Sequence, residues 1–497
     1  MIMKFSRKYG LICLLGVAIS LTACKKWLDI TPRTQIKESE QFSSRQGFID
    51  ALFGIYQRAA TDSMYGNSLS FGVLDVLAGR YENKSGIGNW YGGLARYNYT
   101  STASGTLNVE RKISEIWGAA YNAIAQANYI LKNVDSHRDI LDETTYGIIK
   151  GETLGMRAFM HFDLLRLYAP AYNTANAQKP AIPYMELFTV VPQDRLTVAA
   201  VTDKCEKELL EAETLLSVNK DIDQIAGNQG STSADLFLMY RQNHLNYWAV
   251  KATLARLYLY KGDKVNALKY AKEVIDSKKF RFITAAEINN DASTTASDMT
   301  FSSEHIFSIY VSDLRRVVEE LFKQTPNNNN NDSRDLYTAL SKVNAMYEKD
   351  LPFYGTDIRL PDASKSLWTP ATIVGVAYVY SKKYHADNPN NVKQRLIPVL
   401  RLPEMYYIAA EAAPTPDEGL TYLNTVRVAR GLPALTASDK LEAEILKEYR
   451  KEFYGEGQLW FYFKRKNTIT IPDGTGIIMT EAAYTFPRPQ AEIEFGK

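Results

Sequence analysis

Residues 245–277 limit the possible folds more than any other stretch. Ala252, Ala255 and Tyr258 precede a Gly262-Asp263 break, and Ala267, Ala271 and Val274 follow it. Small residues recur at helical spacing on both sides, with bulky ones between them. That pattern describes two helices crossing at close range, a tetratricopeptide-like unit that must stack on a neighbouring pair to cover its apolar face. Helical periodicity recurs over 42–60, 107–134, 152–168, 197–217, 401–412, 418–429 and 438–463, with Ser438 as an N-cap. The expected fold is all-α, with tetratricopeptide-like helix pairs and long irregular loops. The tracts 61–106, 169–196, 221–240 and 280–398 are too long for idle connections, so they are expected to carry the specific surface. The asparagine run at 327–331 reads as a solvated loop tip.

The start of the chain is a targeting segment. Lys4, Arg7 and Lys8 precede a short apolar run over 11–21, followed by Thr22-Ala23-Cys24. A basic start, a greasy segment and small residues before a break describe a secretory signal peptide. The run is shorter than the roughly 20 apolar residues of a membrane span. Small residues directly before Cys24 match a lipobox, which makes Cys24 the acylated first residue of the exported protein. Several acyl chains anchor a protein far more firmly than one. The expected layout is a signal peptide over 1–23, a tether over 24–40 and a single α domain over 41–497. The formal charge of +2 belongs to the leader: without its three cations the remainder is about −1. No basic footprint remains to support nucleic-acid binding.

Catalytic signatures are absent from the sequence. There is no G-x-S-x-G, no phosphate-binding G-x-x-x-x-G-K-[ST] and no H-E-x-x-H. His137, His161, His244, His305 and His385 are scattered without ligand spacing. Ser217-x-x-Lys220 lacks companion motifs, and the calcium-like start at Asp221 fails at Ile225 and Thr232. Cys205 sits on an apolar helical stripe and reads as a buried, inert thiol. Glu448, Glu452 and Glu456 fall on one helical face, where pairing with Lys447, Arg450, Lys451 and adjacent helices is expected over acid–base chemistry. No enzyme, cofactor or metal site is predicted.

Several blocks carry a family resemblance. The stretch from Cys24 through Trp27-Leu28-Asp29 to Pro32 resembles a C-x-x-(W/F)-L-D-x-x-P opening. Arg157-Ala158-Phe159 with Phe162-Asp163-Leu164, Arg166 and Tyr168 resembles a R-A-(F/Y)-x-x-F-D-L-x-R-x-Y helix. Arg401-Leu402-Pro403-Glu404 running into Ala409-Ala410-Glu411-Ala412 continues through Leu423-Asn424, Arg427 and Arg430-Gly431-Leu432. Glu448, Glu452-Phe453, Glu456-Gly457 and Lys464-Arg465 follow, then Phe486-Pro487 and Glu492-Ile493. In this order the blocks resemble the SusD/RagB family of lipid-anchored, nutrient-binding outer-membrane proteins. Tyr449, Leu459 and Tyr462 depart from it, standing where the family usually has Arg, Arg and Asp.

The resemblance implies four tetratricopeptide-like helix pairs in a right-handed scaffold whose loops present a glycan site. It implies non-catalytic capture of oligosaccharides at the cell surface and delivery to a SusC-like TonB-dependent barrel. Peptide capture of the RagB type is an alternative, and so is a helical-repeat scaffold binding only protein partners. Sugar rings present a C–H face suited to aromatic platforms and a hydroxyl rim suited to polar side chains. Two aromatic, polar, non-periodic tracts fit that chemistry. The first supplies Tyr81, Asn83, Asn89, Trp90, Tyr91, Arg96 and Tyr97, and the second Tyr354, Asp357, Arg359 and Trp368. Tyr378, Tyr380 and Tyr384 alternate like a strand face and read as structural.

Overall fold

Most of the long helices begin where a side chain can satisfy their first unpaired N–H groups. Ser44 caps α1 (Arg45–Ala59), Asn108 caps α2 (Val109–Val134) and Asp142 caps α3 (Glu143–Tyr168). Thr197 caps α4 (Val198–Leu216), Asn246 caps α5 (Tyr247–Lys261) and Asp263 caps α6 (Lys264–Asp276). Each such cap stabilises by about 1 kcal/mol. The short α7 (Leu314–Leu321) lies in the long insertion. After it come α8 (Leu402–Ala412), α9 (Pro416–Ala429), α10 (Leu441–Glu452) and α11 (Gln458–Arg465). This computed structural model describes residues 38–496, apart from 83–85, 87, 221–234, 324–333, 353–354, 364 and 374. Cys24, Asn83, Tyr354, the asparagine run and the calcium-like stretch lie outside the described residues.

The helices stack in chain order: α1 on α2, and so on to α6, then α6 on α8 and α8 on α9. Four helix pairs result, with 277–401 inserted between the third and the fourth. Ala252, Ala255, Ala267 and Ala271 are fully buried at the α5–α6 crossing. Gly262 closes α5 at φ +80°, a left-handed turn that glycine adopts without a Cβ clash. Tyr258 stacks on Tyr270 with ring centroids 5.6 Å apart. One apolar cluster runs from Phe42 to Phe486. Cys205 is buried within it, and burial holds its thiol well above its ordinary pKa. Among the described residues, no helix is long and apolar enough to cross a membrane.

Two helix boundaries differ from expectation. α3 starts nine residues before 152, because Gly147, Gly151 and Gly155 lower the apparent helix propensity there. Packing overrides that penalty. A Cβ at Gly151 would lie 2.7 Å from Leu216 Cγ, and one at Gly155 would lie 2.6 Å from Leu245 Cδ2. The glycine row therefore lets α4 and the start of α5 approach closely. The closing helix expected over 438–463 is two helices. It breaks at Gly455 and Gly457, at φ +78° and +71°. Asp75 accepts hydrogen bonds from both of their N–H groups, at 2.6 and 3.1 Å. Ser438 does not cap α10; its hydroxyl donates to Asp417 Oδ1 at 2.5 Å.

Small antiparallel sheets occupy the connections. β1 (Pro180–Pro183) pairs with β2 (Arg195–Thr197). β3 (His305–Tyr310) pairs with β7 (Leu396–Arg401), setting His305 opposite Arg401 and Tyr310 opposite Leu396. β4 (Tyr337–Ala339), β5 (Trp368–Ile373) and β6 (Val376–Ser381) form a sheet in the order β4-β6-β5. Tyr378 and Tyr380 lie on β6, as their alternation predicts, whereas Tyr384 falls beyond the strand, buried, with its hydroxyl donating to Gly455 O at 2.8 Å.

A buried lattice of ion pairs ties the insertion to the scaffold. Arg401 reaches Glu304 (3.0 Å), Glu452 (2.7 Å) and Glu456 (2.8 Å). Arg430 reaches Glu304 (2.7 Å) and Glu452 (2.8 Å). Arg359 reaches Asp357 (2.7 Å), Glu448 (3.0 Å) and Glu452 (2.8 Å), while Arg427 pairs with Glu448 (3.0 Å). The three glutamates thus serve structure, as expected, but their main partners are distant arginines. Burial would raise the Glu452 carboxyl, yet Arg430 and Arg401 outweigh it and hold it well below the usual range. Tyr449, at a position where the family usually has Arg, instead packs its ring 4.7 Å from that of Tyr462.

Glu452→Gln removes the charge shared by three buried guanidinium groups. It should cost about 3–5 kcal/mol, read as a lower midpoint in urea unfolding. Glu411 adds a pH dependence. Burial raises its carboxyl, but Arg465 and Lys466 prevail and set it at about 2. A carboxylate depressed on folding contributes stability that is complete above its unfolded pKa and is lost as pH falls towards the folded value. Thermal stability should therefore fall between about pH 4.5 and pH 2, and Glu411→Gln should flatten that fall.

Candidate ligand-binding site

A cleft of about 1160 Å³ opens between the first helix pair and the insertion. One wall is α1 from Asp50 onward and the turn after it, with Asp50, Phe53, Gln57, Asp62 and Asn67. Tyr240 and Asn243, from the segment before α5, form a second. The third is the end of β3 and α7, with Tyr310, Asp313, Arg316 and Glu320.

The floor is aromatic and rigid. Tyr56 and His244 lie behind Phe53, with ring centroids 4.7 Å from Tyr56 to His244 and 5.5 Å from Phe53 to His244. The Tyr56 hydroxyl donates to Glu152 Oε2 at 2.7 Å and accepts from Leu245 N–H at 3.0 Å. His244 Nδ1 lies 3.2 Å from the same carboxylate oxygen, and Arg241 pairs with the other. Burial, reinforced by Arg241, pushes His244 well below the usual imidazole range. It is therefore neutral and donates through Nδ1. This network holds the floor and supplies no reactive group.

The upper walls carry two further rings. Tyr240 adopts left-handed backbone geometry, at φ +52° and ψ +40°. That conformation costs a residue with a Cβ roughly 1–2 kcal/mol, and such strain persists where the fold fixes a side-chain position. Tyr310 is 39% exposed, and its hydroxyl accepts from Arg395 at 3.0 Å. Asn243 Oδ1 accepts from Ser308 at 3.3 Å, which fixes its amide. The rim leans acidic, with Asp50, Asp62, Asp313 and Glu320 against Arg316. Aromatic faces flanked by carboxylates, amides and one guanidinium suit an uncharged, hydroxyl-rich ligand.

The cleft draws on the long tracts expected to carry the specific surface, through Asp62, Asn67, Tyr240 and residues 310–320, but none of the described ligand candidates from the two aromatic tracts lines it. Tyr81 is buried, donates to Phe71 O at 2.7 Å and meets Tyr454 edge-on. Tyr91 is buried as well, and Tyr97 stacks on Trp460 at 6.0 Å while donating to Leu77 O. Asn89 accepts from Tyr91 N–H at 3.0 Å, and Trp90 is half-buried against the core. Arg96 is half-buried. Asp357 and Arg359 belong to the buried lattice, and Trp368 is buried, donating to Arg359 O at 2.9 Å. The expectation that Tyr81, Tyr91, Asp357, Arg359 and Trp368 meet a ligand is therefore corrected. Non-helical aromatic chain packs here as core, its hydroxyl and indole groups satisfying loop carbonyls. Asn89, Trp90 and Arg96 keep solvent contact.

The individual cleft residues are not legible in the sequence, because they come from three regions, around 50–67, 240–244 and 310–320, although much of that lining falls in the long irregular tracts. On α1 the local signal is Phe53 with Gln57, four apart and off its buried stripe. Tyr56→Phe should leave Leu245 N–H without an acceptor and take one donor from Glu152, lowering unfolding free energy by about 1–3 kcal/mol in chemical denaturation.

Two family descriptions match the chain. The one described as "Starch-binding associating with outer membrane" covers residues 26–259, and the one described as "SusD family" covers 268–488. A "SusD-like protein" of Formosa agariphila is 25% identical over 172 residues, a match spanning 33% of this chain and 31% of that protein's length. A SusD superfamily structure from Bacteroides thetaiotaomicron matches with TM-score 0.65 and 22% identity, covering 91% of this chain and 98% of that one. A putative sugar-binding protein from Bacteroides vulgatus matches with TM-score 0.65 and 23% identity, covering 90% and 91%. A structure described as a laminarin-binding SusD-like protein matches with TM-score 0.62 and 18% identity, covering 91% and 98%. These structures share the fold. With helix pairs in the expected order and two matches that together span nearly all of residues 26–488, the chain belongs to the SusD/RagB family.

Proposed function

We propose that this protein captures a neutral oligosaccharide in the cleft and hands it, unmodified, to a SusC-like TonB-dependent barrel. In this reading it sits at the outer membrane, held by acyl chains on Cys24. The observation that carries the proposal is the juxtaposition of Phe53, Tyr240 and Tyr310 with a hydrogen-bonding rim in one cleft of about 1160 Å³. Ring faces cover the C–H surface of a sugar while carboxylates and amides accept and donate to its hydroxyls. The fold relatives described as sugar- and laminarin-binding support the same ligand class. The acidic rim argues against sulfated or uronate-rich chains, since like charges across a site cost affinity.

Calorimetric titration of the protein with laminari-oligosaccharides and with a sulfated counterpart tests the reading. Binding of the neutral sugar alone is the expected result. Tyr310→Ala and Tyr240→Gly should each weaken it roughly tenfold, about 1.4 kcal/mol for one lost platform. Tyr240→Gly should do so without lowering the melting temperature, because glycine relieves the left-handed strain. Affinity unchanged in both variants would remove the cleft from the binding site. A preference for basic peptides over every neutral sugar would move the function to peptide capture.

A further inference from the structure

The loop between β1 and β2 ends in an apolar tip. Leu187 is 69% exposed, Phe188 49%, Val190 100% and Val191 55%. Four large apolar side chains within five residues form a patch of the kind that marks an interaction surface.

The base of this loop is held by buried polar side chains. Asn128 donates to the carbonyls of Met185 (2.9 Å) and Leu187 (3.1 Å), and Arg157 donates to that of Glu186 (3.1 Å). Met185 N–H donates to His161 Nε2 at 3.0 Å, while His161 Nδ1 donates to Arg157 O at 2.9 Å. Burial pushes His161 down to about 3, so the imidazole stays a neutral acceptor. Three interior side chains thus fix a loop whose outer residues touch little else.

The tip lies beside the point where the chain joins the domain. Glu38 pairs with Lys132 at 2.8 Å and accepts from Asn133 at 3.0 Å, near the end of α2. Phe42 and Phe188 pack on the same ring, that of Tyr129, each with centroids 4.8 Å away. Only 13 residues separate Glu38 from Cys24, a reach of at most about 45 Å. The composition also favours lipid over protein. The tip, Leu187-Phe188-Thr189-Val190-Val191, carries no charged side chain. Leu and Val are under-represented among the residues that dominate protein interfaces, whereas aliphatic side chains with Phe suit the acyl boundary of a bilayer.

From these observations we infer that Leu187, Phe188, Val190 and Val191 insert into the lipid surface beside the acyl anchor. The inference rests on the reading of Cys24 as the lipidated residue. Its consequence is orientation. The tether alone leaves the domain free to rotate, whereas a second lipid contact at the N-terminal end of α1 fixes it. The cleft is lined along that same helix from Asp50 onward, so a fixed contact there also fixes how the cleft is presented relative to the bilayer.

The test uses the full chain, purified from membranes with its lipid and reconstituted into phospholipid vesicles. In the mature protein Cys24 is acylated and Cys205 is buried, so Val190→Cys introduces the single reactive thiol for an environment-sensitive nitrobenzoxadiazole label. Glu320→Cys, on the cleft wall, serves as the water-exposed reference. The label at 190 should show a several-fold rise and a blue shift in emission on vesicles, with quenching by nitroxide lipids, while the label at 320 stays aqueous. If both labels emit as in water from a protein whose mass shows acylated Cys24, the insertion is overturned and the tip faces a protein. If the mass shows no lipid on Cys24, the anchor reading falls and the inference falls with it. Leu187→Asp with Val190→Cys should abolish the blue shift while the protein still floats with the vesicles through its acyl chains.

Discussion

The buried lattice around Glu452 is the constraint on which the rest of the structure depends. Arg359, Arg401 and Arg430 converge on that one carboxylate, and each is shared with a second acid, which satisfies the guanidinium forks from several sides. Removing so many charges from water is expensive, and only dense mutual pairing offsets the cost. The members come from the insertion (Glu304, Asp357, Arg359 and Arg401), α9 and its C-cap (Arg427 and Arg430) and α10 (Glu448 and Glu452). Glu304 immediately precedes β3, and β3 ends at Tyr310. The lattice therefore holds the strand that carries one wall of the cleft, some distance from any ligand.

The tyrosines divide along the same line between structure and function. Most serve packing: the hydroxyls of Tyr81, Tyr97, Tyr121 and Tyr384 donate to the carbonyls of Phe71, Leu77, Pro183 and Gly455. Tyrosine suits this use because it adds core area while satisfying a loop carbonyl that no helix or sheet would pair. Among the described residues, the rings that line the cleft are those of Phe53, Tyr56, Tyr240, His244 and Tyr310. Aromatic richness is thus the signature of long loops folded onto a helical scaffold more than of an extended stacking surface.

The scaffold was legible because its signals are local. Alanines at the α5–α6 crossing, the Gly262-Asp263 turn and the apolar stripes act over a few residues. The start of α3 was obscured because its glycines look like helix breakers until α4 is packed against them. Gly455 and Gly457 seemed tolerable inside one long helix until Asp75, some 380 residues away, took their N–H groups. Arg359 and Trp368 resembled ligand groups because an arginine's partners and a ring's exposure are not written in its neighbours.

The sequence by itself determined the helix-pair architecture and the family, through local spacing and the order of the motif blocks, and it anticipated the structural use of Glu448 and Glu452 on α10 and of Glu456 just beyond it. Only the tertiary structure decided which aromatic residues meet solvent and which arginines are spent on internal charge. It also placed the cleft, built from α1, the Tyr240 segment and α7, and set the apolar loop tip beside Glu38. Those outcomes depend on contacts between residues tens to hundreds of positions apart, where burial and ion pairing are settled by the packing of whole elements.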